Sequence, residues 1–198
     1  LLQYRHKLVQ EKTEKKVRMS HLADTAAKSK SMSFILRDAR KSIKALEKSV
    51  KQCERQILEL IKGDEELARS YGHIVSVSGI GIVNATALIV YSNNFRGITT
   101  ANRMASYYGI ASFRDTSGTS VDKKAYVKCY SNSLLKAYLT QSAEWTIREN
   151  GIYHDYYLRL KEKGKPYGII INNARNKLIH LVFSLVKNDT DYERNYEY

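Results

Sequence analysis

Helix breakers are scarce in this chain. One proline and ten glycines in 198 residues permit long uninterrupted helices almost everywhere. Cysteine is scarcer: Cys53 and Cys129 are the two present, without the number of a disulfide scaffold or the spacing of a metal knot, and both are read as structural. No run approaches the ~20 consecutive apolar residues of a membrane span, and the N-terminus lacks the apolar core of a signal peptide. A soluble, cytoplasmic protein with no membrane partner is expected. Negative charge is also in deficit: 20 Asp+Glu stand against 33 Lys+Arg, a formal charge of +13. Such an imbalance attracts a polyanion and releases its counterions on binding, so nucleic acid is the expected partner, with a solvated helical surface as the bland alternative. Phenylalanine is rare, 4 residues against 15 tyrosines; phenol rings can stack on bases or offer hydroxyls to phosphates, although most will be core.

The hydrophobic content of 43% suffices for one packed domain of roughly 100–150 residues plus an extension. Residues 1–64 form that extension. The only turn chemistry before Asp64 is Ser29-Lys30-Ser31-Met32-Ser33, which implies two helices. In the second, Leu36, Ala39, Ile43, Leu46, Val50, Cys53, Ile57 and Leu60 alternate steps of three and four, the seam of a coiled coil. The first shows Leu1, Leu8 and Leu22 in a sevenfold register that Lys15 interrupts. An antiparallel hairpin that also pairs between protomers is expected; a hairpin packing only within its own chain is the alternative. The chain opens on Leu1 in the middle of a helical pattern, so a fragment of a longer protein is expected.

Lys62-Gly63-Asp64 is a helix stop, and residues 65–198 read as a compact helical domain. Helices are expected at 82–91, 99–108, 132–150, 153–163 and 167–187, the last with an apolar stripe of Ile171, Ala174, Leu178, Leu181 and Leu185. Residues 110–127, rich in Ser, Thr, Asp and Lys, read as a loop with short strands at most, and loops are where chemistry concentrates. The fold class is therefore mainly α: a long helical hairpin, then a compact helical domain.

Two segments could carry chemistry. Val77-Ser78-Gly79-Ile80-Gly81-Ile82 leads into a small-residue helix, a pattern like a helix-hairpin-helix unit. Gly79 and Gly81 would let backbone approach a phosphate and the next helix's free amides complete the anion site, though tight turns between packed helices need the same residues. The second is Phe113-Arg114-Asp115-Thr116-Ser117-Gly118-Thr119-Ser120 followed by Lys123, Lys124 and Lys128. A serine beside a flexible glycine can reach a scissile phosphate while cations stabilise charge on its oxygens; on spacing alone Ser117 could equally be structural or phosphate-binding. Asp115 and Asp122 are isolated and read as caps or counter-charges, and His6, His21, His73, His154 and His180 lack ligand spacing, so no metal residue is assigned. Trp145 is read as core.

Taken in order, the motifs form a larger pattern. Ser78-Gly79-Ile80-Gly81, Ala85-Thr86-Ala87, Phe95, Met104-Ala105, Tyr108-Gly109-Ile110, Ser117-Gly118 and Lys128 are followed by Ser131-Asn132, Leu135-Lys136 and Leu139. Tyr156-Tyr157, Lys163-Gly164-Lys165 and Ala174-Arg175-Asn176-Lys177-Leu178 complete the series. This succession resembles the C-terminal domain of the DEDD transposases of the IS110 insertion-sequence family, and Arg5-His6-Lys7-Leu8-Val9 is similar to the helix after that family's first domain. The chain departs from the family at Ser112, where a proline is usual, at Ser131 for glycine, at Lys136 for arginine, and in a spacing from Lys128 to Ser131-Asn132 that is longer by one.

The resemblance implies a full-length enzyme with an N-terminal RuvC-like domain holding four metal-binding carboxylates, a coiled coil, and a C-terminal domain whose Ser-Gly serine attacks DNA. By position Ser117, with Gly118, is that catalytic pair. Gly79, Gly81, Arg103, Arg114, Lys123, Lys124, Lys128 and Lys136 are the candidate nucleic-acid contacts. A prokaryotic, nucleoid-associated enzyme is implied, with DNA and a guide (bridge) RNA as partners and Mg2+ bound through the missing domain. No cofactor is expected in this fragment, which alone should be inactive. A non-catalytic nucleic-acid-binding module is the alternative function, and an oligomerising coiled coil of incidental basicity a third.

Overall fold

The computed structural model describes residues 1–25, 30–111, 116–117, 121–122 and 132–193, and the chain divides into two compact units, Leu1–Gly63 and Asp64–Tyr198. The break falls one residue before the boundary read from the sequence.

The first unit pairs α1 (Leu2–Thr25) with α2 (Lys30–Lys62). Contacts of Arg5 with Glu54 at 2.7 Å and Lys16 with Glu47 at 3.0 Å show them antiparallel. Ile43, Val50, Cys53 and Ile57 of the seam are buried, as are Leu2 and Leu8 of α1. Two details differ from the heptad reading. At its C-terminal end the buried position passes from Leu60, 64% exposed, to Ile61, because consecutive steps of four follow the 3.6-residue period of a straight helix. At the N-terminus Leu2 takes the buried place, while Leu1 and Leu22 lie at the surface. With the seam buried inside one chain, a second copy would have to meet other residues, among them the exposed Phe34 and Ile35.

The second unit is built around α8 (Tyr167–Asn188), which α3 (Glu65–Ser76), α5 (Ala101–Tyr107), α6 (Ser133–Thr146) and α7 (His154–Glu162) all touch. Helix α8 buries Ile170, Ile171, Ala174, Leu178, Ile179, Val182 and Leu185. Contact on several sides widens the expected single stripe and puts Val182, rather than Leu181, inward. Helix α4 (Ile82–Ser92) packs between α3 and α6. Its small residues Ala85 and Ala87 are fully buried, and Asn84 Nδ2 donates to Tyr138 O at 2.5 Å and Ser142 Oγ at 2.6 Å on α6.

Helix α3 is not among the helices expected from the sequence, where Lys62-Gly63-Asp64 reads only as a stop and acidic residues follow. They also start a helix: Asp64 Oδ1 accepts from Glu66 N and Leu67 N, both at 3.0 Å, and Glu65 and Glu66 place negative charge at the first turn. Trp145 is the other correction. It is 60% exposed on α6, because Ser142, Ala143 and Thr146 take the inward positions. The described strands are β1 (Thr116–Ser117) and β2 (Val121–Asp122), within the short-strand allowance for that segment. Mainly α is the observed class, and no described helix is long and apolar enough to cross a membrane.

The end of the second unit is fastened by His73. Its Nδ1 meets Asp191 Oδ1 at 2.8 Å and its Nε2 meets Asp189 Oδ1 at 2.9 Å. Both carboxylates accept, so the ring must donate from both nitrogens and be cationic. Partial burial opposes that charge, but the two hydrogen bonds and the two carboxylates outweigh it and raise the His73 pKa. Ser76 Oγ then accepts from Tyr192 N at 2.7 Å. The sign follows from linkage: stabilisation is complete below the ordinary histidine pKa of about 6.5 and is lost as pH rises through the raised folded value. Hydrogen exchange at the Tyr192 amide should therefore lose protection as pH climbs through that value, after correction for intrinsic rates, and His73→Gln should flatten the dependence.

Candidate catalytic and nucleic-acid site

Ser117 ends β1, and the pair closes antiparallel with Thr116 opposite Asp122 and Ser117 opposite Val121. Two-residue strands hold little by themselves, and the described chain before and after them is bonded to the helical core at Ile110 and Asn132. On the outgoing side Ile110 is buried, its N–H donates to Ala105 O at 2.9 Å, and its carbonyl accepts from Asn172 Nδ2 of α8 at 3.0 Å. On the return side Asn132 N donates to Tyr107 O at 3.2 Å, while Asn132 Oδ1 caps α6 by accepting from Leu134 N and Leu135 N. Both ends of the excursion from 111 to 132 are thus tied to the last turn of α5.

The other candidates separate by position. Arg103 is exposed on α5, and Lys136 is half-buried in the first turn of α6, the helix that Asn132 caps. Gly118, Arg114, Lys123, Lys124 and Lys128 lie outside the described residues, as do Asp115 and Cys129. Beneath the hairpin base Tyr108 is fully buried, and burial, with the neighbouring Tyr91 and Tyr107, pushes its phenol strongly upward, so it stays neutral. Among the described residues no group of three or more His, Cys, Asp or Glu could hold a metal ion.

The two glycines between α3 and α4 have different surroundings. Gly79 has φ +99°, and a Cβ there would lie 3.1 Å from Trp145 Cβ and 3.4 Å from Ser142 O. Glycine is required at that position by backbone conformation and by the close approach of α6. Gly81 precedes α4 with open space about it and no side-chain cap on the helix, so this end of the turn can admit a ligand.

The pattern of the Transposase IS116/IS110/IS902 family matches residues 72–158, from the end of α3 through the Gly79–Gly81 turn, the Ser117 hairpin and α6 into α7. The chain is 25% identical over 149 residues to the pilin gene-inverting protein of Moraxella bovis, covering 74% of this chain and 46% of that protein. It is 27% identical over 120 residues to the insertion element IS110 uncharacterized 43.6 kDa protein of Streptomyces coelicolor, covering 61% and 29%. With the probable family 20 transposase of Pseudomonas aeruginosa it shares 21% over 164 residues, 81% and 47% of the two chains. The chain spans less than half the length of these relatives, and the family found is the one its motifs resemble.

Gly79→Ala should lower the stability of the second unit by about 1–3 kcal/mol, since it sets an alanine in a strained conformation against α6. Gly81→Ala should change it by about 0.5 kcal/mol or less. Chemical denaturation of the two variants measures both; equal losses would show that Gly81 is a packing residue too.

Proposed function

Because residues 72–158 match the pattern of the IS116/IS110/IS902 transposase family, we propose that this chain is the part of a DNA recombinase that supplies the attacking serine for strand cleavage and transfer. Ser117 Oγ gives up its proton and attacks the scissile phosphorus; a Ser–O–P bond forms, the P–O bond to the departing strand breaks, and the freed strand end takes a proton as a hydroxyl. Attack by a second strand's hydroxyl on the phosphoserine reverses the exchange and releases Ser117, so the number of ester bonds is conserved. The observation carrying this reading is the match of residues 72–158, which include Ser117, to the transposase family pattern.

The remaining roles follow from charge and position. Arg103 and Lys136, with Arg114, Lys123, Lys124 and Lys128, would meet phosphates, and Gly81 with the amides after it would act as the anion-binding turn of a helix-hairpin-helix unit. The family resemblance supports a guide RNA as second polyanion, self-association through the helical hairpin, and action at the nucleoid. Mg2+ would be held elsewhere in a longer enzyme, so this chain alone should bind nucleic acid without cutting it.

In a full-length recombinase carrying this chain, Ser117→Ala should abolish recombination of a plasmid substrate while changing stability by about 0.5 kcal/mol or less. Gel-shift affinity should stay within about twofold of the parent. Lys136→Ala should instead weaken binding and reduce its salt dependence together with the rate. Recombination by Ser117→Ala at the parental rate, or a defect matched by lost binding, would make Ser117 a contact residue.

A further inference from the structure

Trp145 is the chain's one tryptophan, and it stands 60% exposed on α6. A lone exposed hydrophobic residue requires no explanation, but this one is organised. Its base lies so near Gly79 that a Cβ added there would come within 3.1 Å of the Trp145 Cβ, and the Arg148 guanidinium lies over the ring at 4.5 Å from its centroid. Beside it opens a pocket of about 440 Å³ whose lining includes Arg148, Glu144, Glu149, Tyr157 and Tyr167. Tyr167 is exposed, and burial of its hydroxyl followed by the Glu144 carboxylate raises its pKa, so the ring is a neutral aromatic surface at physiological pH.

We propose that Trp145, with Arg148 on its ring and the Tyr157–Tyr167 pocket beside it, is a stacking site for an unpaired nucleobase of a single-stranded nucleic acid. The inference rests on the nucleic-acid reading above and gives that partner a strandedness. An indole partly covered by a guanidinium still offers aromatic surface to a second planar group, and unpaired bases stack on such surfaces whatever their sequence. A duplex keeps its base faces within the stack. Charge sets the orientation: Glu144 and Glu149 repel phosphate from the pocket but accept hydrogen bonds from exocyclic amino groups. The base would enter and the backbone remain outside, towards the exposed Arg159 and Lys161 of α7. Those cations already lie over aromatic rings, Arg159 at 5.5 Å from Tyr156 and Lys161 at 5.8 Å from Tyr157, so the surface joins stacking to positive charge.

Because the chain holds a single tryptophan, its own fluorescence reports on the site. The 198-residue chain is titrated with a mixed-sequence single-stranded DNA 12-mer, the same sequence as RNA, an abasic 12-mer of equal charge, and the duplex. The DNA or RNA strand should quench the tryptophan while the abasic strand binds without quenching, and comparison of the two arms identifies the source of the base. By anisotropy Trp145→Ala should bind the quenching strand about tenfold more weakly and the duplex unchanged, with most of the single-strand affinity restored in Trp145→Phe. Duplex binding without a base-dependent quench, or Trp145→Ala binding single strands as well as the parent, would overturn the stacking site and leave the nucleic-acid reading standing. Failure of the parent to bind any of the four would overturn both.

Discussion

The second unit depends on the burial of α8. Seven of its apolar side chains, from Ile170 to Leu185, are covered by helices that touch it from several directions, and that packing is the main source of the unit's stability. It also limits where polar groups can go. Asn172, in the first half of α8, reaches the carbonyl of Ile110. Arg175, one turn on, is half-buried with its Nε unpaired, and burial lowers its pKa. Ile110, ahead of the segment that carries Ser117, is thus bonded to α8 through Asn172.

The same packing explains why the Gly79–Gly81 turn has two chemistries. One glycine lets α6 approach, with the base of Trp145 among the atoms a side chain there would meet. The other lies open ahead of the uncapped α4. A single turn thus contributes a packing contact and a free helix end. The small inward residues of α6, Ser142, Ala143 and Thr146, are the counterpart of that close approach, and they leave the large indole facing solvent.

Periodicity made the long elements legible. Helix α2 could be read from its three-four spacing and α8 from its apolar stripe, because both signals extend over about four turns or more. Short-range detail was harder. Asp64-Glu65-Glu66 carries a start signal as clear as the stop before it, but the composition change at Gly63 masks the start of α3. Trp145 was assigned to the core on residue type; its exposure depends on how near α4 comes to α6, a tertiary distance that no pattern along α6 encodes. For the site, spacing alone left Ser117 among ordinary loop hydroxyls. The ordered succession of motifs around it singled it out, while the bonds of Asn172 with Ile110 and of Asn132 with Tyr107 join residues distant in sequence.

The account stands on Ser117 Oγ as the atom that becomes bonded to phosphorus. Its most direct test is to react a full-length recombinase carrying this chain with a nicked substrate that cannot rejoin, denature and digest the protein, and map the nucleotide-bearing peptide by mass spectrometry. A phosphodiester adduct on Ser117, absent in Ser117→Ala, is the result predicted. An adduct on any other side chain, or efficient strand transfer with no covalent intermediate at any time point, would contradict it.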